Sequence, residues 1–325
     1  MNIASVVAAV TASPNNVVQD TVVIQEWEVP WADTRPRDPH TDDVGRVWFV
    51  GQRGDYVAYL DPSTGEFRRY ELDAGTGPHN LIVDRDGQVW YAGNRAGHIG
   101  RLDPSTGEIV KYPMPDPRAG DPHTLVFDDA GDIWFTVQRG NFVGRLDVRT
   151  GDVALIAIAT RGARPYGIRI APDGTPWIAL FGTNKIVRVN PRAMTAQEIV
   201  LPDSRARPRR LEVTRDGVVW LGDYSRGYLG RYDPVAQSYS EWMLPGGRSS
   251  LPYGMALDGT GRIWLVESGP RPNRFVGFDP ATSTFLGGTA ISSGGGTVRH
   301  MYFDSAIGEI WFGTDTNFIG RARFE

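Results

Sequence analysis

The sequence predicts an all-β chain folded as a seven-bladed β-propeller with four antiparallel strands per blade, and three observations predict it. Trp48, Trp90, Trp134, Trp177, Trp220, Trp264 and Trp311 stand 42, 44, 43, 43, 44 and 47 residues apart. Each lies in the same local pattern, clearest from Pro78-His79 through Asp103-Pro104 and again from Pro122-His123 through Asp147. The pattern runs Pro, an aromatic or basic residue, an apolar alternation, Asp, a Gly turn, Trp, a variable loop, then Gly-Arg-apolar-Asp and a Thr-Gly turn. Repeats of about 40 to 50 residues are the blade length of a propeller. The third observation is that the two ends complement each other. The last unit stops at a third strand, Ile319-Gly320-Arg321, while Ile24 through Pro30 matches the fourth-strand pattern of Ile109 through Pro115. The N-terminal strand is therefore expected to complete the last blade and remove an exposed sheet edge.

Within a unit, Leu81–Asp84 reads as the first strand and Gln88–Tyr91 as the second, joined across the Asp86-Gly87 turn. His98–Leu102 is the third, and Glu108–Tyr112 the fourth, reached through Pro104-Ser105-Thr106-Gly107. The seven tryptophans are expected to fill the space between neighbouring blades, since a large apolar side chain repeated at one position is a packing element. His98, alone in a third strand, reads as structural.

Composition narrows the class. The 39 glycines and 23 prolines are spread through turns rather than gathered in a linker. This leaves a single domain over residues 21–325, preceded by a flexible tail at 1–20. A net charge of −4 offers no basic field for nucleic acid. No apolar run approaches the roughly 18 residues of a membrane span. Absence of cysteine excludes disulfides, thiolate metal sites and a Cys nucleophile. The start, Met1 to Val10, is apolar but has no Lys or Arg before Arg35, a poor match to a secretory signal. The compartment stays open between cytoplasmic and exported, and closed edges suit a monomer.

Chemistry concentrates at the residue after the Pro that opens each blade: His40, His79, His123, Tyr166, Arg209 and Tyr253, then Arg299 or His300 in the seventh, which carries a one-residue insertion. The innermost strand lines the channel, so these side chains form a ring at its mouth. Counting through the hairpin sets Glu267 opposite Tyr253 and Asp223 opposite Arg209, with Asp315 near Arg299 and His300. Asp38 and Asp121 sit two residues before His40 and His123. Arg53, Arg95, Arg139 and Arg226 follow the second strands. A concave mouth with His, Tyr, Arg and carboxylates converging is the default site.

The units Gly77-Pro78-His79-Asn80-Leu81, Arg164-Pro165-Tyr166-Gly167-Ile168 and Leu251-Pro252-Tyr253-Gly254-Met255, each followed by Asp, Gly, Trp and Gly-Arg, resemble the virginiamycin B lyase (streptogramin lyase) family over residues 22–325. The resemblance implies ring opening of a depsipeptide by elimination rather than hydrolysis. It also implies a sixth-blade His, a seventh-blade Glu-Pro-His, a further Glu and Mg²⁺. By position the sixth-blade His is Tyr253 here, and the Glu-Pro-His is Thr297-Val298-Arg299, with His300 next along. His79 followed by Asp121-Pro122-His123 offers a rotated copy of the missing triplet.

The reading that follows is acid–base C–O elimination on an ester or lactone-like, anionic small molecule. His123, His79, His300 and Tyr253 are its catalytic residues. His40, Tyr166, Arg209, Arg299 and Arg139 bind substrate, and Asp121, Glu267 and Asp223 hold Mg²⁺ or Ca²⁺. No organic cofactor is expected. A gluconolactonase-like metal-dependent hydrolase and a non-catalytic ligand- or protein-binding propeller are the alternatives. The run Ser292-Ser293-Gly294-Gly295-Gly296 has the composition of a loop that gates the mouth.

Overall fold

Short runs of alternating apolar residues, cut by turns whose Gly or Asp takes a positive φ, fold into strands of five to seven residues. The computed structural model describes residues 22–324, and the tail over 1–20 lies outside them. The strands assemble into seven four-stranded antiparallel sheets, six of them pairing in chain order from the innermost strand outward and the seventh taking its outer strand from the N-terminal end. The sheets follow one another around a ring, with Pro36–Thr41, Pro78–Val83, Pro122–Phe127, Pro165–Ile170, Pro208–Val213, Pro252–Leu257 and Val298–Asp304 as inner strands. Among the described residues, helix is confined to two single turns, Pro117–Ala119 and Gly247–Ser249. No helix among the described residues is long and apolar enough to cross a membrane.

The seam closes as the sequence predicts. Val22–Glu28 is the outer strand of the seventh sheet and pairs with Phe318–Phe324, in register from Val22 with Phe324 to Glu28 with Phe318. Asn317 fastens the crossing by donating to the carbonyls of Val29 and Trp31 at 2.8 and 3.0 Å. Ser293 is also bound to this strand, its N–H and hydroxyl donating to the Glu26 carboxylate at 2.8 and 2.6 Å. The glycine run that composition marked as a gate is thus tied to the seam.

The repeated tryptophans are buried, all within 3 % of full occlusion. Trp48 packs against Leu81, Val83 and Tyr91 of the next sheet, and Trp134 against Ile168 and Ile178. The Asp six residues earlier does two jobs in four blades. Asp42, Asp84, Asp128 and Asp258 each accept the indole N–H, at 2.7 to 3.0 Å, and two backbone N–H groups of the intervening turn. A single carboxylate so fixes both the hairpin turn and the inter-blade wedge. His98 is buried edge-on against Tyr91, a packing position.

Deletion of residues 22–28 strips seven paired residues from the last sheet and opens an edge on its third strand. Thermal unfolding and size-exclusion chromatography should show a large fall in the midpoint and aggregation. A variant melting with the full-length midpoint would contradict the seam.

Candidate active site at the channel mouth

Every inner strand begins with a bulge that shifts the register against the second strand. Bulges re-aim side chains, and here two successive residues after the opening position meet across the channel. The opening residue is Pro in six blades and Val298 in the seventh, paired with Gly51, Gly93, Val137, Leu180, Asp223, Glu267 and Thr314 in turn. The first tier behind it is Arg37, His79, His123, Tyr166, Arg209, Tyr253 and Arg299. The second is Asp38, Asn80, Thr124, Gly167, Arg210, Gly254 and His300.

One half of the first tier is an aromatic stack. The His79 and His123 rings lie 3.6 Å apart between centroids, and His123 lies 4.2 Å from Tyr166. The Tyr166 and Tyr253 hydroxyls are hydrogen-bonded to each other across the mouth. The other half is cationic. The Arg209 guanidinium sits 3.5 Å from the Tyr253 ring centroid and 4.4 Å from those of Phe181 and Tyr224. It donates to the Tyr166 hydroxyl at 3.5 Å and has no carboxylate partner among the described residues. Arg299 pairs with Asp315, which Arg35 also approaches at 3.7 Å. In the second tier, Gly167 is a close-approach position. A Cβ there would stand 2.9 Å from the Arg209 carbonyl oxygen and the Arg210 Cα, so only glycine lets the fifth inner strand pack beside it.

Charge decides the protonation states. Burial alone would raise the Tyr253 phenol, but Arg209, Arg37, Arg299 and Arg210 outweigh it and bring it down to about 8. Tyr166 moves the other way, raised by burial and by the charge of Tyr253. Burial first, then surrounding arginines, drives His79, His123 and His300 well below their ordinary value, so all three are neutral. Asp38 stays ionised because Arg37, Arg210 and the Asn80 hydrogen bond together overcome the cost of its burial.

Of the site residues expected from sequence, the structure brings together His79, His123, Tyr166, Arg209, Tyr253, Arg299 and His300. It resolves the seventh blade, with Arg299 in the first tier and His300 in the second. His40 is not in the ring. Pro36, not Pro39, opens the first blade, so His40 pairs with Trp48 and stacks on Tyr302 at 4.1 Å, while Arg37 takes the ring position. Arg139 is exposed and turned onto Asp121 at 3.4 Å.

The three acids expected to bind metal are loop clamps. Asp121 accepts the N–H groups of Arg139 and Gly140 at 2.7 and 2.9 Å. Asp223 accepts from the N–H of Arg207 at 2.9 Å and the hydroxyl of Ser225 at 3.1 Å, with Arg226 at 3.3 Å. Glu267 accepts from the Gly246 N–H at 2.6 Å and the Ser250 hydroxyl at 2.9 Å, and pairs with Arg274. These carboxylates are each engaged by N–H or O–H donors of their own loops rather than gathered at the axis. No group of three or more His, Asp or Glu suited to a metal gathers among the described residues. Four arginines at the axis would repel a cation, so the residues present do not fit Mg²⁺ or Ca²⁺.

Sequence reasoning missed a further mouth position, four residues after each repeated Trp. It holds Gln52, Asn94, Gln138, Phe181, Tyr224, Ser268 and Asp315. Gln52 accepts from Arg37 at 3.1 Å, Asn94 donates to the Pro122 carbonyl at 2.9 Å, and Phe181 and Tyr224 box Arg209. Its constant offset from the Trp was available as a signal. Only Asp315 among these was read as part of the mouth.

The model of the virginiamycin B lyase family matches residues 9–270. Among solved structures, a streptogramin B lyase is 24% identical, covers 94% of this chain and 98% of its own, and superposes with a TM-score of 0.84. Virginiamycin B lyase from Staphylococcus aureus is 22% identical with the same TM-score, over 93% of this chain and 99% of that one. A catalytically inactive His-to-Ala variant of the same enzyme, solved with quinupristin, is 23% identical over 93% and 99%, again at 0.84. A search of curated proteins finds no match.

Four histidines are neutral in the fold, the fourth being His40, lowered to about 4 by burial. Each has a depressed folded value, so its stabilising contribution is present above the unfolded value near 6.5 and is lost as pH falls below it. Burial lowers His98 as well, so denaturant titrations at pH 7 and pH 5 should show a marked loss of stability at the lower pH, with net proton uptake on unfolding. Equal stability at both would show that the histidines are charged in the folded protein.

Proposed function

The chain belongs to the virginiamycin B lyase family, and from that premise we propose that it is a carbon–oxygen lyase acting on an ester or lactone with an anionic group, with Tyr253 as the base. The observation that carries this reading is the Tyr253 phenol, held down to about 8 by four guanidiniums at the place where the family resemblance puts its sixth-blade His. In a cationic mouth, a base that becomes positive on accepting a proton works against the local field. His123 is such a base, buried and with its charged form disfavoured. A phenolate becomes neutral instead, and the same field favours its charged, reactive form.

The reaction balances without an outside reagent. The Tyr253 oxygen takes the proton alpha to a carbonyl, the C–H electrons form a C=C bond, and the adjacent C–O bond breaks with its electrons leaving on a carboxylate. Arg209 and Arg299 face the charge that develops. Arg209, lacking a carboxylate of its own, is the group that a substrate carboxylate draws off the Tyr253 ring, opening the phenol. Tyr166 holds the phenol oxygen in place, and the His79–His123 stack positions Tyr166. No step is routed through a metal.

The test is incubation with cyclic depsipeptides of the streptogramin B type, quinupristin included, and with simple ester and lactone substrates, followed by mass spectrometry. Elimination opens a ring without changing its mass, whereas hydrolysis adds one water. The expected outcome is an isomeric, unsaturated acid, formed at a rate that rises with pH through about 8 and lost by more than about a hundredfold in Tyr253→Phe. Products carrying an added water, or undiminished turnover by Tyr253→Phe, would overturn the assignment.

A further inference from the structure

Two guanidiniums and one carboxylate meet across the channel, Arg37 from the first tier and Asp38 and Arg210 from the second. Arg37, Arg210 and Asp38 are 3, 2 and 1 % exposed. Asp38 accepts from Arg37 Nε at 3.0 Å and Asn80 Nδ2 at 3.0 Å, and faces Arg210 Nη2 at 3.6 Å. Arg210 spans the axis, donating from Nε to the Arg299 carbonyl at 3.1 Å and from Nη1 to the Thr124 hydroxyl at 3.2 Å. The Asp38 backbone is held at a φ of 51°, a left-handed conformation that Asp tolerates better than most residues.

Several polar nitrogens remain unused. Arg37 Nη2, Arg210 Nη2, His123 Nε2 and His300 Nδ1 are buried without a hydrogen-bond partner. For His123 the tautomer follows from its neighbour. The Thr124 hydroxyl accepts from Arg210, and His123 Nδ1, at 2.8 Å, is the acceptor left for its own proton. Nδ1 therefore accepts and Nε2 carries the hydrogen. These groups belong to inner strands one, three, five and seven, and His300 and His123 both lie within electrostatic range of Arg37, Arg210 and Asp38.

The charge does not balance. Arg37 and Arg210 give two positive charges against one from Asp38, and the histidines are neutral. Of the neighbouring cations, Arg169 is matched by Glu212 at 2.7 Å and Arg299 by Asp315, while Arg209 in the first tier rests on aromatic rings and the Tyr166 hydroxyl. A buried, uncompensated unit charge is costly, and the orphan nitrogens surround it.

We propose that the channel axis holds one small monovalent anion of halide size, bound by Arg37 Nη2 and Arg210 Nη2 with His123 Nε2 and His300 Nδ1 beside it. The single unmatched charge of the Arg37–Asp38–Arg210 array fits a monovalent ion. The closed setting, filled from four inner strands, selects a small one. The site shares Arg37, Arg210 and His123 with the mouth, but anion binding there is read without turnover and stands whether or not the lyase reading does.

The test uses the full chain and sodium bromide. Crystals grown or soaked in bromide and measured at its absorption edge should show an anomalous peak on the axis in contact with Arg37 and Arg210. In solution, the thermal midpoint should climb with the logarithm of chloride or bromide concentration, relative to gluconate at matched ionic strength. Arg37→Gln leaves Asp38 paired with Arg210 and removes the excess charge, so its midpoint should lose that halide dependence. An axis occupied only by water with no anomalous signal would overturn the proposal, as would halide and gluconate curves that coincide. Should Arg37→Gln fail to fold, the anomalous map of the unaltered protein decides.

Discussion

Seven inner strands share one axis because the outer strand of the last sheet comes from the other end of the chain, pairing over seven residues with Phe318–Phe324. Without that closure the ring would end in a free sheet edge and the blades could splay. With it, residues from 87 to 172 positions apart are forced into contact. Asp38 and Arg210 face each other, Arg210 reaches the Arg299 carbonyl, and Tyr166 bonds Tyr253. Each of these contacts bridges blades that are not neighbours in sequence. The mouth is thus a product of closure, with the tryptophan wedges holding the spacing between sheets.

Closure also sets the electrostatics. Arginines at four of seven inner strands would be unremarkable on a surface, where water screens them. Brought to one axis and buried, they act on every titratable group there. They pull a phenol toward neutral pH, hold an aspartate ionised and keep the histidines uncharged. The same field turns away a divalent cation and offers donors to an anion.

The repeat was legible because each blade solves the same packing problem with the same residues. Trp between sheets, Asp accepting the indole N–H and turn N–H groups, and Gly at the turn recur at fixed spacing. Fold, blade count, seam and the list of ring positions in blades two to six were readable from that spacing. The first blade misled the count because Pro39-His40 imitates the Pro-His of the second and third blades, while Pro36-Arg37 is the true opening. The acids misled for a related reason. Asp121, Asp223 and Glu267 stand beside ring residues in sequence, yet N–H and O–H donors and neighbouring arginines claim their oxygens.

The sequence by itself determined the architecture, since hydrophobic periodicity and turn chemistry are local and repeat. It also named most of the side chains at the mouth. What only the tertiary structure decided is which of them are charged and where their donors go. Pairing across an axis depends on rotamers, bulges and the sum of charges drawn from five or more blades, none of which is encoded within a single repeat. The aromatic box of Phe181 and Tyr224 around Arg209, the Arg37–Asp38–Arg210 array and the lowered Tyr253 phenol all belong to that second kind of information.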